Sequence, residues 1–224
     1  MEEGNNTMKR LVIFDLDGTL LNTLGDLTCA VNYALKQCGF QVQHTPETVR
    51  TFVGNGIGKL LERSLPEHHN TEEIMQQMRQ SFFPYYQEHG AELTAPYEGI
   101  IPLLEQLQAR GIRLAVASNK VQDATEALVH HYFPTIHFAH IYGQRPDVPI
   151  KPDPTIVYDI LDEAGVDKSE VLYVGDSDVD MLTAQNAQIS AIGVSWGFRH
   201  PSDLIPFSPL AIIDEANELL RYID

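Results

Sequence analysis

The 224-residue sequence lacks the marks of a membrane, secreted or nucleic-acid-binding chain. No uninterrupted apolar run approaches the roughly 18–20 residues that span a bilayer. Met1 to Arg10 contain no apolar segment of the secretory-leader kind. They read as a polar tail, with residues 1–8 expected to be disordered and Met8 an alternative start. Cysteine is scarce: only Cys29 and Cys38 are present. On a helix their spacing turns about 900° and rises about 13.5 Å, which puts the thiols on opposite faces and beyond disulfide reach. Both read as small apolar fillers in a protein of a reducing compartment, and a cytoplasmic location is expected. Positive charge is scarce as well. Fifteen Lys and Arg stand against 31 Asp and Glu, a net charge of −16. Such a body repels phosphodiester polymers and anionic lipid, so neither nucleic acid nor membrane is expected as a partner. An anionic small-molecule substrate would need local compensation by a metal or a placed cation. Zinc-ligand spacing, a Walker lysine loop and a G-x-S-x-G elbow are also missing.

What is present is an ordinary globular balance, 43% apolar and 21% charged, in a chain long enough to fold on its own core. Short apolar runs at 11–14, 112–117, 171–174, 191–194 and 210–213, with a weaker one near 137–142, predict strands. Helical patterns at 121–130, 155–164, 179–187 and 215–222 lie between or after most of them. This alternation predicts an α/β fold, a doubly wound parallel sheet covered on both faces. One interval breaks the rhythm. A strand–helix–strand unit takes about 30 residues, but 96 residues, 16 to 111, separate the first two strands. The surplus reads as helices: 24–38, 57–65 and 74–89, the last with Met75, Met78, Phe82, Tyr86 and His89 in a packing stripe and with Pro84 expected to kink or split it. A further helix from Ile100 returns the chain to the sheet. The expected division is a core of 1–21 and 93–224 and an inserted helical cap of 22–92.

The chemistry-bearing residues fall where strands end. Asp15-Leu16-Asp17-Gly18-Thr19 follows the first strand, Ser118-Asn119 the second, Lys151 lies in the loop after the third, and Gly175-Asp176-Ser177-Asp178-Val179-Asp180 follows the fourth. Ligands of open parallel sheets bind outside the carboxyl ends of the strands, so these four segments are expected to converge. In the cap, Gly54, Gly56 and Gly58 permit tight turns near a ligand, and Asn55 stands with them as a candidate specificity residue. Lys59 or Arg63 could offset a small substrate's carboxylate, unless the segment is only a linker between cap helices. Trp196 and Phe198, either side of Gly197, read as local packing under a loop.

Together these residues resemble the four motifs of the haloacid dehalogenase superfamily, and the resemblance runs over essentially the whole chain. Within it, the glycine-rich stretch from Phe52 to Arg63, the segment Phe82 to His89 and the return at Tyr97-Glu98-Gly99-Ile100 look most like the phosphoglycolate phosphatases. Asn22 departs from that group, which commonly has aspartate there. The resemblance implies a Rossmann-like core and a hydrolase that removes phosphate from a small phosphorylated metabolite through an aspartyl-phosphate. It implies Asp15 as nucleophile, Asp17 as general acid and base, and Ser118, Asn119 and Lys151 as phosphate-binding residues. Mg²⁺ would be held by Asp15, Asp17 and Asp176, with Asp180 reaching the metal or its waters, and the cap residues would set specificity. The molecule is expected to be a monomer or homodimer. A phosphohexose mutase, a pyrophosphatase and a nucleotide 5′-phosphatase share these motifs and remain alternatives; a non-catalytic phosphate-binding protein is a more distant one.

Overall fold

The computed structural model describes residues 8–223, so the expectation of a disordered tail lies, apart from an exposed Met8, outside the described residues. Six strands form one parallel sheet: β1 (Leu11–Phe14), β4 (Arg113–Val121), β5 (Phe138–Gln144), β6 (Val171–Gly175), β7 (Ser190–Val194) and β8 (Ala211–Ile213), in the spatial order β5-β4-β1-β6-β7-β8. Between β1 and β4 lie the short β2 (Leu21–Asn22) and β3 (Ala95–Pro96), paired antiparallel as the two legs of an insertion.

The absence of polar alternation in the strands follows from burial on both sides. Val12 and Phe14 of β1 face one core with Leu114, Val116, Leu172 and Val174. Leu11 and Ile13 face the other with Ala115, Ala117, Val171 and Tyr173. The first core is closed by α5 (Ile100–Ala109), α6 (Gln122–Tyr132) and a 3₁₀ segment, Ala216–Tyr222; the second by α7 (Thr155–Ala164) and α8 (Asp178–Ala187). A short helix, Pro201–Leu204, follows β7. The expected C-terminal α-helix is therefore a tighter 3₁₀ run.

The insertion carries α1 (Leu24–Gln37), α2 (Pro46–Arg50), α3 (Gly56–Ser64) and α4 (Glu72–His89), packed around a separate apolar cluster that includes Leu27, Val31, Leu35, Leu61, Met78 and Phe82. The five-residue α2 has no periodic signal of its own; it starts at Thr45, whose hydroxyl accepts from the Thr48 amide, with proline in its first turn. Two expectations are corrected here. Pro84 does not split α4, which runs unbroken through it. Cys29 is exposed, not a buried filler, whereas Cys38 packs at the margin of the cap cluster; both are free thiols. Asp26, buried on α1, accepts hydrogen bonds from the Leu93 and Thr94 amides and the Thr94 hydroxyl, tying the start of the insertion to its end. No helix among the described residues is long and apolar enough to cross a membrane.

Candidate active site

The β1 ladder continues one residue past the strand, the Asp15 amide donating to the Val174 carbonyl at 2.9 Å. This fixes the Asp15 side chain at the sheet's carboxyl edge. The chain then turns through Gly18, whose φ of +95° and whose approach to the Asp176 carboxylate exclude a side chain. Asp176 stands just past β6. Its carboxylate accepts from the Thr19 hydroxyl at 3.3 Å and the Phe198 amide at 2.6 Å. Asp180 lies at the third position of α8, where its Oδ2 accepts from the Ser177 amide and hydroxyl at 3.1 and 2.6 Å, completing a capping box. The local cap thus orients Asp180, leaving Oδ1 to face Lys151.

Lys151 is the charge centre of the cluster. Its Nζ donates to Asp15 Oδ1 and Asp180 Oδ1, both at 2.7 Å, and contacts the Ala117 carbonyl at 2.9 Å and the Tyr173 hydroxyl at 3.0 Å. Burial works against its charge, but Asp15 and Asp180 hold the ammonium well above its ordinary range. The acids respond in the opposite sense. Burial first, and then the Asp180 charge, raise the Asp15 carboxyl well above its ordinary value despite Lys151. The same two causes push Asp176 up to about 7.

These shifts are the signature of a negative, desolvated cluster with too little positive charge. Carboxylate oxygens of Asp15, Asp176 and Asp180 lie within 4.8 Å of one another, all buried. One lysine against three acids leaves the cluster anionic, and the donors are hard oxygens in a pocket that burial makes hostile to bare charge. That set fits a divalent hard cation. Among the described residues Asp15 accepts on Oδ1 from Lys151 and Asp176 accepts one donor on each oxygen, so both keep lone pairs for such an ion, whereas each oxygen of Asp180 already accepts two donors.

The second strand runs further than its apolar residues predict, through the polar Ser118, Asn119 and Lys120. Pairing to β5 shifts register here, from Ala117 opposite Tyr142 to Val121 opposite Gln144. An irregularity of this kind re-aims side chains at a site. Ser118 is buried, and its Oγ accepts from the Lys120 amide at 3.2 Å. The Asn119 side chain is fully engaged: Oδ1 accepts from the Lys151 amide at 2.8 Å, and Nδ2 donates to the carbonyls of Lys151 and Gly54 at 3.0 and 3.1 Å. It therefore positions the Lys151 loop and the cap's glycine turn instead of presenting its own amide to the cavity.

Asp15, Asp17, Ser118, Asn119, Lys151, Asp176, Asp180, Gly54 and Gly56 surround one cavity of about 50 Å³. At about 10–15 Å³ per water by this measure, it holds a few waters or a small ligand. The expected cap cations do not reach it. Lys59 pairs with Glu62 at 2.7 Å in solvent, and Arg63 binds the Phe52 carbonyl and Asn55 Oδ1 at 3.0 and 2.8 Å. Asn55 joins Arg63 on the outer side of the cap loop. Three cations do line the cavity: Lys151, Lys120 and Arg199.

The last two carry no local motif of their own. Lys120 directly follows Ser118-Asn119, which is the one signal that could have found it. Its Nζ lies 3.0 Å from both oxygens of Asp17, whose Oδ1 also accepts from the Thr23 hydroxyl at 2.6 Å. Burial opposes this ammonium too, but Asp17 outweighs it and raises its proton affinity. Tyr173, fully buried in β6, reads from sequence as one more strand apolar residue. Phe198 packs into the cap's apolar cluster rather than under its own loop, a correction forced by the cap lying across the core.

Comparison with known proteins decides the family. Residues 12–194 match the model of the haloacid dehalogenase-like hydrolases. The chain belongs to that family. Phosphoglycolate phosphatase from Mannheimia succiniciproducens is 31% identical over 225 residues, covering 97% of this chain and all of that one. The phosphoglycolate phosphatase of Psychrobacter arcticus is 29% identical, covering 96% of each. A crystal structure of a predicted phosphoglycolate phosphatase from Haemophilus somnus superposes with a TM-score of 0.90 at 29% identity, over 96% of this chain and 98% of that one. The parallel sheet with its inserted helices is thus the fold of a haloacid dehalogenase-like hydrolase.

Proposed function

We propose that the protein is a Mg²⁺-dependent phosphomonoesterase acting on a short phosphorylated carboxylic acid, phosphoglycolate first among them, through an aspartyl-phosphate. The observation that carries this is the buried cluster of Asp15, Lys151, Asp176 and Asp180 at the floor of a small cavity closed above by the cap.

An Asp15 carboxylate oxygen forms a bond to phosphorus as the ester P–O bond breaks, and Asp17 gives its proton to the departing alkoxide. Water then attacks the phosphorus of the acyl phosphate, Asp17 takes a proton from it, and phosphate leaves with Asp15 restored. Lys151 holds Asp15 in place and offsets charge on the transferring group, and Ser118 supplies a hydroxyl to its oxygens. Asp15, Asp176 and the Asp17 carbonyl would hold Mg²⁺, whose positive charge would offset that of the incoming phosphate. Asp180 restrains Lys151. The cavity's size under the cap favours a small substrate over a polymer.

Phosphate release from a panel of small phosphomonoesters, measured after EDTA treatment with and without added Mg²⁺, tests this reading. Release from phosphoglycolate that EDTA abolishes and Mg²⁺ restores is expected, as is loss of at least about 10³-fold in Asp15→Asn with an unchanged circular dichroism spectrum. Metal-independent turnover, or near-wild-type turnover by Asp15→Asn, defeats it.

A further inference from the structure

Each of the three cations lining the cavity is held by protein groups. Lys151 has four oxygens within 3.0 Å. Arg199 donates to the Arg50 and Val53 carbonyls at 2.9 and 2.6 Å, with its Nε 3.6 Å from Asp178. Lys120 is held by the acid, Asp17, whose two oxygens both lie 3.0 Å from its Nζ. An ammonium carries three donors, and the last partner comes from the cap. Tyr86, on α4, places its ring centroid 4.8 Å from Nζ, and its buried hydroxyl has the ammonium as a hydrogen-bonding partner. The Lys120 side chain is only 5% exposed, so its three donors are all spent on protein. It has none to offer a substrate, and what it does in the cavity it does through Asp17.

Asp17 needs such a hold. It lies beyond the end of β1, beside the turn through Gly18, so the sheet does not fix its side chain. Its two oxygens are held unequally. Oδ1 accepts from the Thr23 hydroxyl at 2.6 Å as well as from Lys120; Oδ2, among the described residues, accepts from Lys120 alone. Oδ2 therefore keeps a lone pair for the travelling proton while Oδ1 is anchored from two sides. A carboxyl protonated on Oδ2 still has Oδ1 held by both donors, so its direction is kept in each half of the reaction. Thr23 by itself would let the carboxyl turn about a single bond. An error of about 1 Å in placing a reacting group can cost about 10²-fold in rate.

We propose that Lys120 is the positioning residue of Asp17, fixing its carboxyl so that Oδ2 exchanges the proton with the leaving oxygen, and that Tyr86 of the cap holds Lys120 to that task. The proposal rests on the reading of the protein as a phosphatase with Asp17 as its acid. It assigns Lys120 no contact with the phosphoryl group or with the rest of the substrate. Removing Lys120 should therefore matter only where the leaving group needs a proton, and only while Asp17 is there to supply it.

The test measures kcat/KM at saturating Mg²⁺ for wild type, Lys120→Met, Asp17→Asn and the double variant. One substrate is the alkyl phosphate that wild type cleaves fastest, whose alkoxide must be protonated as it departs. The other is acetyl phosphate, whose acetate departs as a stable anion. Because kcat/KM covers only the steps up to loss of the leaving group, the later attack of water does not enter. Lys120→Met should lose about 100-fold on the alkyl phosphate and less than about threefold on acetyl phosphate. In the Asp17→Asn background the same change should cost less than about threefold on either. Tyr86→Phe, which removes one oxygen and leaves the ring packed, should lose about 3–10-fold on the alkyl phosphate with the same selectivity; an unchanged Tyr86→Phe overturns the cap's part. Equal losses of Lys120→Met on the two substrates, or a loss undiminished in Asp17→Asn, overturn the assignment while leaving the phosphatase reading intact. Hydrolysis of no phosphate ester by wild type brings down both.

Discussion

Arg50 and Arg199 each clasp the backbone of the segment that bears the other, across the boundary between cap and core. Arg50, at the end of α2, donates to the Gly197 carbonyl at 2.9 Å and to the Phe198 carbonyl. Arg199 reaches back to the carbonyls of Arg50 and Val53. Two guanidinium groups that would repel each other directly are instead each satisfied by main-chain carbonyls of the segment that bears the other. Their carbonyl partners flank the loop that bears Phe198, whose amide holds Asp176. Cap position and acid position are therefore mechanically linked.

Because each arginine binds the segment that presents the other, their contributions should not add. Arg50→Ala and Arg199→Ala are each expected to destabilise by about 1–2 kcal/mol, with a coupling of at least about 0.5 kcal/mol in the double variant. Urea denaturation of the four proteins measures this, and strictly additive losses would dissolve the clasp.

Asp176 makes the metal-free protein sensitive to pH. Burial and the neighbouring Asp180 push its carboxyl up to about 7 from an ordinary 3.8. The folded state thus keeps a proton that the unfolded chain releases. The stability from this group is complete below the unfolded value and is lost as pH rises through the folded one. In EDTA, the melting temperature of wild type relative to Asp176→Asn should fall between pH 4 and pH 8. Mg²⁺ should recover it at the upper end. A pH-independent difference between the two proteins would contradict the shift.

Gly197 has no room for a methyl group: a Cβ there would overlap the Asp176 side chain and the Gly18 carbonyl. Gly197→Ala should displace Asp176, costing about 1–3 kcal/mol and most of the Mg²⁺-dependent gain in melting temperature. A variant with an undiminished Mg²⁺ response would show that the loop yields instead.

Asp26 stitches the two ends of the insertion together without touching the cavity. Asp26→Ala leaves two buried amides and a hydroxyl without their acceptor, an expected loss of about 2–3 kcal/mol in thermal or urea unfolding. Loss within measurement error would mean that water replaces the carboxylate.

The sequence by itself determined the layers and the acids. Continuous apolar strands such as Leu11–Phe14 can be buried only with helices on both faces, and residues that follow parallel strands must share one edge, so Asp15 and Asp176 were legible as neighbours. Local patterns cannot carry a partner's direction, however. Nothing near Lys120 says that it meets Asp17, and nothing near Arg50 that its acceptors lie at 197 and 198. Even Asn119, rightly placed at the edge, has its amide committed to the backbone of Lys151 and Gly54. Those choices were decided only when the cap settled on the core, because hydrogen bonds and ion pairs between segments far apart in the chain depend on distance in space, which sequence spacing does not encode.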